Sequence, residues 1–238
     1  MPYPRAIIFD LDGTLADSVH DIAASMNVFL NELGQSGFET SDYLKWIGGG
    51  SGAMVARIAK IRGLALGGGP DGLKAQYLTH YNQNLTRTRL FVGVSALLQT
   101  CAALGVPISL LSNKDDWMVQ VLLNNIFPDT PFVEVIGLSD AFPKKPDPSS
   151  ACYIAERMGV RPAECLFVGD TETDMRTAIA ANMQSAAALW GYGTRRALEQ
   201  TQPNYLLNDP AELEVLIKRW HRMMSVPKSN KFNCLSAK

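Results

Sequence analysis

The chain has 238 residues, 47% hydrophobic and 19% charged, enough to bury a full core in one large domain or in one domain carrying a smaller one. A formal net charge of −1 creates no field that would gather nucleic acid or an anionic membrane, so neither partner is expected. The four cysteines, Cys101, Cys152, Cys165 and Cys234, form no C-x-x-C pair and keep no ligand spacing to a histidine, which argues against a disulfide framework or zinc site and suggests buried, reduced thiols.

The first element is the apolar run Ala6 to Phe9, closed by Asp10. It is too short for a signal segment, has no helical period, and suits a strand buried on both faces. No stretch is long enough to span a membrane, and a cytoplasmic protein is expected. From Asp17 or Ser18, apolar residues at Val19, Ile22, Ala23, Met26, Phe29, Leu30 and Leu33 predict an amphipathic helix ended by Gly34. Met54, Val55, Ile58, Ala59 and Ile61 predict a second helix, and Leu73, Tyr77, Tyr81 and Leu85 a third, after the Gly67 to Pro70 breaker. Further buried strands are expected at Val106 to Leu111, Phe132 to Ile136, Cys165 to Val168 and Ser185 to Leu189. Between and after them, helices are expected at Val94 to Leu104, Trp117 to Asn125, Ser149 to Met158, Thr173 to Ala181 and Ala211 to Trp220. The pattern is α/β, with a parallel sheet covered by helices and about a hundred residues between its first two strands, far more than one crossover needs. The expected division is a core of residues 1–16 and 87–222, a helical cap of 17–86 and a disordered tail of 223–238.

Four strand ends and loops carry polar chemistry, and in open parallel sheets the carboxyl ends face the ligand crevice. Asp10-Leu11-Asp12-Gly13-Thr14 sets two carboxylates two residues apart, and Gly13 allows close approach of backbone to an anion. Ser112-Asn113 stands just before a helix whose free N–H groups favour phosphate. Lys144-Lys145-Pro146-Asp147-Pro148 fixes a lysine in an extended segment as a point charge for phosphoryl oxygens. Gly169-Asp170-Thr171-Glu172-Thr173-Asp174 adds two more acids at a strand end and helix start. Acids so crowded imply a cation among them, and oxygen ligands without histidine or thiolate select Mg2+ over zinc. A carboxylate nucleophile, magnesium and a phosphate cradle specify transfer of phosphoryl to aspartate and then to water.

In this order, with a helical insertion after the first, the four motifs resemble the haloacid dehalogenase superfamily of phosphohydrolases over nearly all of the chain up to about residue 220. Trp46-Ile47-Gly48-Gly49-Gly50 with Met54 and Arg57, the strand Leu166 to Asp170 and Gly191-Tyr192-Gly193 resemble its bacterial phosphoglycolate phosphatase group. The resemblance implies a Rossmann-like core, with Asp10 as nucleophile and Asp12 as general acid and base. It implies magnesium on the Asp10 carboxylate, the Asp12 backbone oxygen and Asp170, with Asp174 behind them. Phosphate would fall to Gly13, Ser112, Asn113 and Lys145, and substrate contacts in the cap to Gly50 and Arg57. The partner would be a small phosphorylated metabolite, and the protein a monomer or homodimer. Thr171 stands where family members often have serine, Val92 where proline usually precedes glycine, and the cap between Gly63 and Gly72 is short and glycine-rich.

Each motif alone has a plainer reading. Asp-x-Asp-Gly-Thr is only moderately specific, and Ser-Asn or Lys-Pro alone is more often turn chemistry; it is the ordered set that carries the catalytic reading. Gly48 to Gly52 fits neither a dinucleotide fingerprint nor a P-loop and reads equally as a turn, while an arginine on a helix such as Arg57 is more often solvated. His20, His80 and His221 share no ligand spacing. Competing functions are a hexose phosphomutase, which returns phosphoryl to sugar, a dehalogenase, which has no use for Asp12, and a phosphate-binding regulator without turnover.

Overall fold

The computed structural model describes residues 3–64, 69–83 and 85–225. In chain order the elements are β1 (Ala6–Phe9), β2 (Ala16–Asp17), α1 (Val19–Glu32), α2 (Thr40–Tyr43), α3 (Ser51–Arg62), α4 (Gly69–Gln83) and β3 (Arg89–Leu90). There follow α5 (Val94–Ala103), β4 (Ile108–Asp115), α6 (Asp116–Ile126), β5 (Phe132–Leu138), α7 (Ser149–Arg157), β6 (Cys165–Gly169), α8 (Glu172–Ala180), β7 (Gln184–Ala188), α9 (Arg195–Gln200), β8 (Tyr205–Leu207) and α10 (Pro210–Ser225).

Six parallel strands form one sheet in the order β5-β4-β1-β6-β7-β8. The two-residue side-chain period of a strand divides β1 between the faces. Ile7 and Phe9 join the cluster under α5 and α10, whereas Ala6 and Ile8 join the one under α7 and α8. Strand order reverses at β1, which lies between β4 and β6, and this places a crevice beyond its carboxyl end.

The inserted helices have their own apolar cluster. Met26, Phe29 and Leu30 of α1 pack with Val55 and Ile58 of α3 and Tyr77 and Tyr81 of α4, and Met118 of α6 reaches in from the core. Helix α1 closes as expected: Gly34 adopts φ 68° and Gln35 N–H donates to the Leu30 carbonyl at 2.9 Å, satisfying an orphan carbonyl of the last turn.

Several expectations are corrected. Strand β4 runs on to Asp115 rather than ending at Leu111: the polar residues 112–115 are buried, and after an irregularity beyond Leu111 Asp115 pairs with Leu138 of β5. Lys145 lies in a turn closed by Asp147 N–H on the Lys144 carbonyl, 3.1 Å, not in an extended segment. Leu85 falls beyond α4, and α10 continues through 223–225, where the tail was expected to begin. The rest of that tail, Cys234 and residues 67–68 of the breaker lie outside the described residues, and its Gly69 and Pro70 open α4. The ribbon of β2 and β3 pairs Ala16 with Leu90 and Asp17 with Arg89, so the chain enters and leaves the insertion side by side. Pieces too short to show a period, namely β2, β3, α2, α9 and β8, are not expected from the sequence. Among the described residues no helix is long and apolar enough to cross a membrane.

Candidate active site

Asp10 is the first residue past β1, its N–H bound to the Val168 carbonyl at 2.9 Å. Asp170 follows β6, the next strand, so parallel pairing alone brings the two acids together. Asp174 joins them from the first turn of α8, and ligand oxygens of all three lie within 4.8 Å of one another. Each is buried.

The bonding of these acids differs. One Asp10 oxygen accepts from Lys145 Nζ at 2.7 Å; the other receives no hydrogen bond from any described residue. Asp174 uses both oxygens, accepting from Lys145 Nζ at 2.7 Å and from the Thr171 N–H and hydroxyl at 3.0 and 2.6 Å. Thr171 and Asp174 thereby cap α8 reciprocally, so the sequence Thr-x-x-Asp serves the helix and the site together. Asp170 accepts from Thr14 Oγ1 at 3.0 Å and the Tyr192 N–H at 2.8 Å.

Burial drives the Asp10 carboxyl up to about 7 against the opposing pull of Lys145, and burial, then Asp10 and Asp174, holds Asp170 well above the usual carboxylate range. Burial pulls the Lys145 ammonium the other way, but Asp10 and Asp174 outweigh it and keep it charged. Asp10, Asp12, Asp170 and Asp174 stand against two ammonium groups, Lys114 and Lys145, leaving two negative charges when all are ionised. A divalent cation on Asp10 and Asp170 balances that count, and the oxygen donor set suits magnesium. The site's residues therefore fit the expected metal.

Gly13 has φ 89°, and a Cβ there would stand 2.2 Å from Asp170 Oδ2. Its N–H donates to the Ala16 carbonyl at 2.9 Å. The Asp170 carboxylate is thus one group that requires glycine at this position. Asn113 is employed differently from the expectation. Its amide donates to the Gly48 and Lys145 carbonyls at 3.0 and 3.1 Å and accepts from the Lys145 N–H at 2.9 Å, clamping the lysine turn and the glycine loop to β4. Ser112 borders the cavity, and its hydroxyl accepts from the Lys114 N–H at 3.2 Å.

Asp12 holds a partner not foreseen. Lys114 Nζ donates to both its oxygens at 3.0 Å, and Ser18 Oγ to one of them. Lys114 follows Ser112 by two residues at the end of a buried strand, the same spacing that marks Asp10 and Asp12, and this signal could have found it. Tyr192, noted in sequence only as part of the Gly191-Tyr192-Gly193 turn, has a hydroxyl that accepts from the Ser18 and Val19 N–H groups at 2.7 and 3.1 Å and so completes the start of α1.

A cavity of about 40 Å³ lies between core and cap, bordered by Asp10, Asp12, Ser112 and Lys114 below and by Gly48 and Gly50 above. Gly50, φ 85°, packs where a Cβ would come within 2.8 Å of the Asn113 carbonyl. The glycine run is therefore a docked loop rather than a flexible turn. Arg57 lies on the exposed face of α3 and does not border this cavity, so the structure does not bring it to the site.

A family profile described as haloacid dehalogenase-like hydrolase matches residues 7–188. A phosphoglycolate phosphatase of Pseudomonas putida is 33% identical over 217 residues, covering 87% of this chain and 77% of that one. A phosphoglycolate phosphatase of Xanthomonas campestris is 35% identical over 194 residues, covering 81% and 86%. Among solved structures, a predicted phosphoglycolate phosphatase from Haemophilus somnus superposes with a TM-score of 0.82 at 28% identity, over 91% of this chain and 99% of that one.

Proposed function

The chain belongs to the haloacid dehalogenase-like hydrolases, and on that premise we propose that it is a magnesium-dependent phosphatase of small phosphomonoesters, with 2-phosphoglycolate as the leading substrate. The observation that carries this reading is Asp10, held through one oxygen by Lys145 with the other unclaimed by any described residue, beside Asp12 on one small cavity. Asp10 attacks phosphorus and becomes an aspartyl phosphate. Asp12 gives its proton to the departing alcohol, then takes one from the water that opens the acyl phosphate, returning Asp10 and releasing inorganic phosphate.

Asp10, Asp170 and the backbone oxygen of Asp12 would hold magnesium, with Asp174 behind them, accepting from Lys145 and capping α8. Bound there, the metal offsets repulsion among the acids and draws charge from the phosphoryl oxygens. Ser112 and Lys145 complete the phosphoryl environment, Asn113 fixes both backbones beside it, and the docked Gly48 to Gly50 loop limits the leaving group. The insertion thus serves as a substrate-selecting cap, in a cytoplasmic protein acting as monomer or homodimer.

The test is phosphate release from a panel of metabolite phosphomonoesters, with and without magnesium. Release from 2-phosphoglycolate that needs the metal is expected. Asp10→Asn should abolish it along with a hydroxylamine-labile phosphoenzyme in rapid-quench samples; full activity in that variant would sink the proposal.

A further inference from the structure

Lys114 is 6% exposed, carried on β4, with its ammonium against Asp12 and 4.7 Å from the centre of the Tyr81 ring. Ser18 already gives Asp12 a hydrogen bond, so a buried cation at this point is more than orientation of the acid requires. Among the described residues bordering the cavity Lys114 is the lone cation; the Lys145 ammonium, bonded to Asp10, Asp174 and the Leu111 carbonyl, is not part of its lining. The remaining wall is largely apolar, formed by Ile22, Trp46, Met54, Tyr77 and Met118. The Ser51 hydroxyl on the same wall is bonded to Asp115.

A leaving oxygen that meets Asp12 has Lys114 beside it, since the ammonium lies 3.0 Å from both oxygens of that carboxylate. A negative group carried on the leaving alcohol therefore has one counter-charge within reach, in surroundings that would otherwise reject it. We infer that Lys114 is the specificity residue of this site, pairing with a carboxylate one or two carbons from the ester oxygen and selecting phosphorylated hydroxy acids over phosphates of neutral alcohols. The inference rests on the phosphatase reading above and adds to it the residue that reads the leaving group.

The experiment compares 2-phosphoglycolate with 2-hydroxyethyl phosphate, the same skeleton ending in a neutral hydroxyl, in the full-length wild type, Lys114→Met and Lys114→Arg. The readout is the ratio of kcat/KM values for the two substrates, which does not depend on the folded fraction of a variant. Wild type should prefer the acid, and Lys114→Met should reduce that preference roughly a hundredfold, the scale of removing one partner of a desolvated charge pair. Lys114→Arg should restore part of it. Equal losses on both substrates in Lys114→Met would show a residue that only orients Asp12 and would overturn the assignment, as would a wild type that prefers the neutral ester. A wild type that hydrolyses neither substrate, nor any other phosphomonoester, overturns the functional reading itself.

Discussion

Asp170 shows how tightly single residues are specified here: it is fully buried, bonded on both oxygens, and touched by a glycine whose every replacement would collide with it. Gly13→Ala must move backbone or carboxylate, in addition to the strain of φ 89°, and should cost at least tenfold in magnesium affinity, read from the metal dependence of kcat and from calorimetric titration. Asp10 gives a prediction about pH. Its carboxyl is raised from 3.8 to about 7, so between those values the metal-free folded chain keeps a proton that the unfolded chain has released. Stability therefore falls as pH rises through this window and levels off above about 7. The stability of Asp10→Asn relative to wild type, from urea midpoints in chelator, should grow between about pH 4.5 and pH 7.5. A constant difference would show that Asp10 is already ionised at the lower pH.

At the scale of elements, each residue of the candidate site owes its place to an end: of β1 for Asp10, of β6 for Asp170, of α8 for Asp174 and of β4 for Ser112 and Asn113. Such ends are legible because a strand buried on both faces is an apolar run, and a polar residue that closes it must meet other polar groups or a ligand. The last residues of β4, Ser, Asn, Lys and Asp in succession, resemble a turn in sequence, whereas bonded side chains and the pairing of Asp115 with Leu138 keep them extended. Helix α1 is tied down in a comparable way. Buried Asp21 accepts from the Arg87 N–H at 3.0 Å, the Thr88 N–H at 2.8 Å and the Thr88 hydroxyl at 2.6 Å, binding the helix to the segment that returns to the core. Asp21→Ala strands buried donors and should cost about 3 kcal/mol in urea unfolding, whereas Asp21→Asn, which keeps an acceptor, should cost less.

For the molecule as a whole, the seam between cap and core is polar and specific. Asp115 at the end of β4 takes Ser51 of α3 and Lys74 of α4, and Asn113 takes the carbonyl of Gly48. Lys74→Met removes one cap tie while touching no cavity residue. It should raise KM several-fold and speed hydrogen exchange across residues 48–54, with kcat at saturating substrate little changed. From the sequence alone came the parallel α/β core, the inserted helices and the four motifs bearing Asp10, Asp12, Ser112, Asn113, Lys145, Asp170 and Asp174, because burial periodicity and spacing along the chain are local quantities. The tertiary structure alone decided that Gly13 packs against Asp170, that Asn113 bonds the Gly48 and Lys145 backbones, that Arg57 faces outward, and that Lys114 stands against Asp12. Each of those outcomes depends on which side chain of a distant segment stands opposite, and such pairings are settled when the sheet closes and the cap docks, not by any spacing within one motif.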